Sequence, residues 1–172
     1  MKYIRRTSHN ITEDFAKSLL IDRGIINEDN EEAFFCPTSN NEEDPMLLDN
    51  IEKGIELLTK HIKAGNEIYL PIDPDVDGYT SAALFYNYLT DNNFNANIVY
   101  HVPEGKEHGL STIMDWFDQS TNGALVVCLD SSSNDYEEHE ELKKRGYDVL
   151  VIDHHEAEHY SENAVVINNQ LS

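Results

Sequence analysis

Between Glu67 and Ile167 short apolar runs alternate with stretches of helical periodicity, and this alternation restricts the fold more than any other feature. Glu67–Ile72, Asn97–Val102, Ala124–Leu129, Asp148–Ile152 and Val165–Ile167 read as strands. Thr80–Leu89, Leu110–Phe117 and Tyr136–Arg145 read as helices between them, with Trp116 packing inward and Gly146 stopping the last. Strands separated by helices of about 10–15 residues require crossover connections, hence a parallel sheet with helices on both faces. The pattern predicts an α/β domain over residues 66–172.

Residues 1–65 read as an N-terminal helical arm. Phe15, Leu19 and Leu20 suit a short amphipathic helix over 12–23, and the polar stretch 37–45, closed by Asp44-Pro45, suits a linker. Leu47, Leu48, Ile51, Ile55, Leu58 and Ile62 then mark one buried stripe of a long helix, which Gly65 is placed to end. The N-terminus has basic residues with no apolar segment after them, so it is no signal peptide, and no apolar run approaches the roughly 20 residues of a membrane span. Cys36 and Cys128 form no Cys-x-x-Cys pair, and Cys128 lies in an apolar strand where a buried, inert thiol is expected. A reducing cytoplasm fits this usage.

Thirty-three Asp and Glu face 12 Lys and Arg, a formal net charge of −21. A surface so acidic repels phosphates, which excludes a simple electrostatic grip on nucleic acid and disfavours anionic membranes. Bound cations can invert that local field, and the chain gathers acids where they could do so. Asp73-Pro74-Asp75-Val76-Asp77-Gly78, Asp130-Ser131-Ser132-Ser133 and Asp153-His154-His155 each follow an expected strand, at the edge where α/β sheets collect reactive groups. Any one of Asp73, Asp75 and Asp77 reads equally well as a turn former or helix cap. Three clusters at three strand ends are better explained by shared cations, because so many carboxylates repel one another. Oxygen ligands with imidazole suit Mn²⁺ or Mg²⁺, and a second ion would make a clamp for phosphoryl transfer.

Two other metal patterns need weighing. Asp73–Gly78 opens like a calcium loop, but the twelfth position, where a bidentate Glu belongs, is Leu84, and the segment before it reads as a strand. His155-Glu156-Ala157-Glu158-His159 spells a zinc-protease pattern, which requires a helix to bring both histidines to one face. Between a strand and a helix, Pro103–Gly109 carries Lys106 and His108, either as an ordinary loop or as a phosphate contact at a helix N-terminus.

Together the three clusters resemble the DHH phosphoesterase superfamily, and most closely its RecJ-type single-stranded-DNA exonucleases. Asp73–Gly78 with Thr80-Ser81-Ala82 stands for the first motif, Asp130 for the second, and Asp153-His154-His155 for the motif that names the family. The likeness spans roughly residues 15–172, including Arg23-Gly24-Ile25 and Asp44-Pro45-Met46-Leu47-Leu48. It implies a two-metal phosphodiesterase releasing nucleotides 5′-to-3′ from single-stranded DNA. Asp73, Asp75, Asp77, Asp130 and His154 would be metal ligands to two Mn²⁺ or Mg²⁺ ions, with Asp130 as the bridge. His155 would contact the scissile phosphate, Lys106 and His108 would join it in substrate binding, and Asp153 would orient the turn. Asp75, Asp130 and His155 would carry catalysis.

The chain departs from this family's pattern in two places. Ser131-Ser132-Ser133 stands where relatives carry Gly, and the Arg of the Pro-x-Arg loop is missing from Pro103-Glu104-Gly105-Lys106. A fourth motif and a DNA-clamping second domain are expected beyond Ser172, so the piece is expected to cut slowly or not at all alone. Small-substrate phosphoesterases of the superfamily, and a non-catalytic module docking replication or repair proteins, remain as alternatives. Relatives of the first kind tend to lack a helical arm, and decayed modules lose ligands that are intact here.

Overall fold

The computed structural model describes residues 15–106, 108–118 and 123–172. Its contacts fall into two units that part between Asp44 and Pro45. In the first, α1 (Phe15–Asp22) is the described part of the helix expected over 12–23; residues 12–14 lie outside the described residues. A turn follows in which the amides of Arg23, Gly24 and Ile25 return to carbonyls of Leu19, Ile21 and Leu20. The sequence pattern does not announce α2 (Glu31–Phe35), which an ion pair from Lys17 to Glu31 ties to α1. The polar stretch 37–45 includes a 3-10 turn, Ser39–Asn41, capped by Thr38.

The second unit opens on another 3-10 turn, Pro45–Leu47, and enters α3 (Ile51–Ala64) through Asn50, whose backbone is left-handed at φ 64°. The long helix therefore starts at Ile51 and not at Leu47. The reason is local and tertiary at once: Asn tolerates this conformation, and Asn50 Nδ2 donates to the Val166 carbonyl at 3.0 Å. Gly65, at φ 70°, ends the helix as expected, its amide reaching the carbonyls of His61 and Ile62. Although the sequence groups this helix with the arm, its apolar side, including Ile51, Leu58 and Ile62, lies on the core.

Five strands, β1 (Glu67–Pro71), β2 (Asn97–His101), β3 (Ala124–Leu129), β4 (Tyr147–Asp153) and β5 (Val165–Asn168), form one sheet in the order β2-β1-β3-β4-β5. Every neighbouring pair is parallel. Helices cover both faces. On one, α3 and α4 (Val76–Asp91) pack over Ile68, Leu70, Leu125, Val127, Leu150 and Ile167. On the other, α5 (Tyr136–Lys144) and the segment Leu110–Trp116 cover Tyr69, Val126, Cys128, Val149 and Val151. Sandwiched centrally, β3 buries all six residues, which is why it reads as an unbroken apolar run. Burial pushes the Cys128 thiol well above its ordinary range, leaving it inert.

The helix expected over Leu110–Phe117 is a 3-10 segment, Leu110–Trp116. Tertiary anchors hold the tighter geometry: the Leu110 amide donates to Asp135 Oδ2 at 2.7 Å, and Arg145 donates to the Met114 carbonyl at 3.0 Å. Trp116 does pack inward, edge-on to Tyr69 at 5.2 Å between ring centres. The chain runs from β1 outward to β2 and then returns to β3 on β1's other side. Where the order reverses, the loops after β1 and β3 diverge and open the crevice that α/β sheets use for ligands.

His139 on α5 is fully buried, with Nδ1 3.1 Å from Ser161 Oγ and Nε2 unpartnered among the described residues. Burial pushes its pKa down from 6.5 to about 4. The unfolded chain thus takes up this proton near pH 6.5 and the folded chain only near pH 4, so the contribution is complete above 6.5 and is lost as pH falls. Urea unfolding is expected to show a loss of about 2 kcal/mol from this residue between pH 7 and 5, and His139→Leu should flatten the profile over that window. An unchanged slope in the variant would mean the folded ring is protonated.

Candidate metal centre

The chain leaves β1 with Ile72 still tied to β2, its amide donating to the His101 carbonyl at 3.1 Å, and then buries Asp73. Two residues on, Asp75 caps α4, accepting the Gly78 amide at 3.0 Å. Gly78 sits directly on Asp73: a Cβ added there would lie 2.5 Å from both the Asp73 carbonyl oxygen and its Cβ. Only glycine lets the helix start this close to the carboxylate. Asp73 Oδ2 lies 2.8 Å from His108 Nδ1, on the loop after β2.

At the end of β3, Asp130 takes the left-handed conformation, φ 65°, and Ser132 does so at φ 76°. The Asp130 amide donates to the Ile152 carbonyl at 2.9 Å, joining this turn to β4. Asp130 Oδ1 meets His154 Nε2 at 2.9 Å. Asp153 closes β4 and organises the turn that leaves it. Its Oδ2 accepts the Ser133 amide at 3.2 Å, while Oδ1 accepts the amides of His154 and His155 at 2.7 and 3.2 Å and meets His155 Nδ1 at 2.8 Å. Beneath them, buried Asn168 at the end of β5 donates to Ser133 Oγ at 2.8 Å and to the His155 carbonyl at 2.9 Å.

The electrostatics divide by role. The Gly78 amide holds the Asp75 carboxyl below its usual range. Burial pushes Asp130 up, and the neighbouring Asp75 charge adds to it, against His154 and His155. Burial also acts on Asp153, but hydrogen bonds from Ser133 and His155 outweigh it and keep that carboxyl low. The hydrogen bond to Asp153 raises His155 above the ordinary imidazole value.

Asp73 Oδ1 and Asp130 Oδ2 are buried with no hydrogen-bond partner among the described residues. Such orphaned oxygens are costly unless a cation meets them. Two donor groups are drawn together, Asp73 with Asp75 and His108, and Asp130 with His154 and His155, each with its ligand atoms within 4.8 Å of one another. Carboxylate oxygen with imidazole nitrogen fits a divalent ion such as Mn²⁺ or Mg²⁺. Asp77 belongs to neither group; it is exposed in the first turn of α4. Lys106 is exposed two residues before His108.

His155 to His159 is not helical, so the zinc-protease pattern lacks the geometry it requires. His159 instead stacks on Tyr136, with ring centres 4.3 Å apart and planes 8° from parallel. Sequence reasoning places His108 only as a possible phosphate contact and misses Asn168 and Asp135. A polar residue closing the apolar run Val165-Val166-Ile167 is the signal that marks Asn168, since Asp130 and Asp153 close their strands in the same way.

Residues 67–172 match the model of the DHH family, N-terminal domain. The chain is 46% identical over 127 residues to YorK of Bacillus subtilis (strain 168), an SPbeta prophage-derived protein named as a candidate single-strand DNA-specific exonuclease. That match covers 73% of this chain and 21% of YorK. It is 33% identical over 110 residues to the single-stranded-DNA-specific exonuclease RecJ of Escherichia coli (strain K12), covering 63% of this chain and 19% of RecJ. The chain thus spans about a fifth of the length of these relatives. Its fold is similar to a crystal structure of exonuclease RecJ bound to manganese, with TM-score 0.61 and 22% identity over 76% of this chain and 34% of that one.

At an open helix position Gly→Ala stabilises by up to about 1 kcal/mol. At Gly78 the contact with Asp73 should reverse that sign, so Gly78→Ala is expected to cost about 2 kcal/mol in denaturant unfolding. A neutral or stabilising result would place α4 farther from Asp73 than the structure has it.

Proposed function

The chain belongs to the DHH family, and from that premise we propose that it is the metal-dependent phosphodiesterase part of a single-stranded-DNA exonuclease working 5′-to-3′. One observation carries the reading: two carboxylate–histidine groups lie at the strand ends of one sheet, each containing a buried carboxylate oxygen with no partner among the described residues. The names of YorK and RecJ support the same reaction and substrate, and the manganese in the RecJ structure supports the cofactor.

Asp73, Asp75, Asp130 and His154, with Asp77 at the rim, would hold Mn²⁺ or Mg²⁺, two ions in all. Bound there, the ions would supply an activated water and positive charge for the phosphoryl oxygens. The chain's own groups are prepared for that task. Asp75 is kept ionised by the Gly78 amide. Asp130 responds to Asp75 on one side and to His154 and His155 on the other, so its charge couples the two groups. Asp153 fixes the His155 ring and favours its protonated form, which suits donation to a phosphate oxygen. Lys106, exposed on the loop after β2 two residues before His108, would make a second phosphate contact. No helix among the described residues is long and apolar enough to cross a membrane.

The test is digestion of 5′-labelled single-stranded DNA with Mn²⁺, alongside an EDTA control and Asp75→Ala. At most slow release of labelled mononucleotide is expected, and both controls should abolish it; release that persists in EDTA would sink the metal mechanism. Independently, Mn²⁺ should raise the unfolding temperature of the wild type, because binding to the native state stabilises it. Asp130→Ala should remove that shift, and an equal shift in the variant would take Asp130 out of the site.

A further inference from the structure

On the side of the sheet where β2 forms the edge, α4 and β2 enclose a groove of about 380 Å³. Three tyrosines dominate it, and none is buried: Tyr79 is 44%, Tyr86 40% and Tyr100 57% exposed. Tyr86 stands edge-on to Tyr100, with ring centres 6.3 Å apart and planes at 84°, so the two rings are not stacked on one another. Ile72 and Val102 form the floor toward the strand ends, and Asn87 adds one amide.

We propose that this groove takes unpaired bases of the single strand being cut, by stacking on Tyr79, Tyr86 and Tyr100. The proposal rests on the reading of the strand-end clusters as a nuclease centre acting on single-stranded DNA. Position supports it. Ile72, directly before Asp73, lines both this groove and the small cavity walled by Asp73, Ser131 and Ser132, so both lie beside the end of β1. Tyr79 also lies one turn into α4 from its cap, its amide donating to the Asp75 carbonyl at 3.1 Å.

Charge supports it further. A chain with 33 acidic residues in 172 repels a phosphate backbone over most of its surface. Neither Tyr79–Thr90 nor Asn97–Pro103 contains a single Asp or Glu. A strand can pass here at lower electrostatic cost than over the acidic surface, and with no Lys or Arg in either segment its affinity has to come from the bases. Stacking on aromatic side chains provides that affinity without regard to sequence, because every base offers a π-face. It also accounts for selection of single strands, since paired bases in a duplex are already stacked and have no free face.

Anisotropy of a short fluorescein-labelled oligothymidylate, titrated with the whole chain in EDTA, tests the groove without cleavage. The wild type should bind the strand about tenfold more tightly than an abasic strand of equal length or the same strand in a duplex. Tyr86→Ala and Tyr100→Ala should each bring binding of the normal strand about fivefold or more toward the abasic level. Tyr100→Phe, which keeps the ring, should bind as the wild type does. Equal affinity for abasic and normal strands, absence of wild-type binding, or unaltered binding by both alanine variants would overturn the proposal. A wild-type dimer in sedimentation that Tyr100→Ala dissociates would assign the groove to a second copy, with the same consequence. Mn²⁺-induced thermal stabilisation, measured on the same samples, reports the metal reading separately. If it is present while the groove variants bind normally, the groove alone is refuted.

Discussion

The Asp153 carboxylate is the contact on which the histidine side of the centre depends. It meets two backbone amides and a ring nitrogen through Oδ1 and the Ser133 amide through Oδ2. These contacts bend the chain sharply at the end of β4, aim His154 at Asp130, hold the His155 ring, and join the turn after β3 to the turn after β4. With its oxygens committed to protein donors, Asp153 has an ionised form that the fold itself stabilises. Asp73 and Asp130 are in the opposite condition, each with one oxygen left without a donor. The same residue type at three strand ends therefore does two jobs, which the number of protein donors around each carboxylate separates.

This distribution reconciles so acidic a chain with the phosphate chemistry we propose for it. The buried carboxylates of Asp73, Asp130 and Asp153 and the exposed one of Asp75 gather at the C-terminal edge of the sheet, close enough for Asp75 to raise Asp130. That repulsion is relieved by cations of any kind, and the protein groups drawn up to Asp73 and Asp130 are imidazoles. The strand ends thus form a local trap for positive charge within a negative surface. The tyrosine groove between α4 and β2 would provide what such a trap lacks, a route of approach for the single strand we propose.

Much of the fold was legible because its signals are local. The apolar run Ala124–Leu129 has the composition of a strand buried on both faces, and all of it is buried. Gly65 ends α3 by adopting the left-handed conformation that glycine favours. Where local pattern and structure part, a contact distant in sequence has overruled a local preference. Asn50 breaks the helical stripe where its side chain reaches Val166, and Leu110–Trp116 is tightened into a 3-10 segment by anchors from Asp135 and Arg145.

By itself the sequence determined the alternation of strands and helices, the parallel sheet that this alternation requires, and the residue types that close β1, β3 and β4. These depend on periodicity and side-chain chemistry, which neighbouring residues establish. Only the tertiary structure decided the partners. Asp73 and His108, 35 residues apart, meet because β1 and β2 pair in parallel and deliver their following loops to one edge. Asn168 reaches Ser133 across the same number of residues because β5 joins beyond β4. Asp77, two residues from Asp75, stands exposed in the first turn of the helix that Asp75 caps, outside both donor groups. Such pairings depend on strand order and on the direction in which each helix leaves its strand, and no stretch of local sequence carries that information.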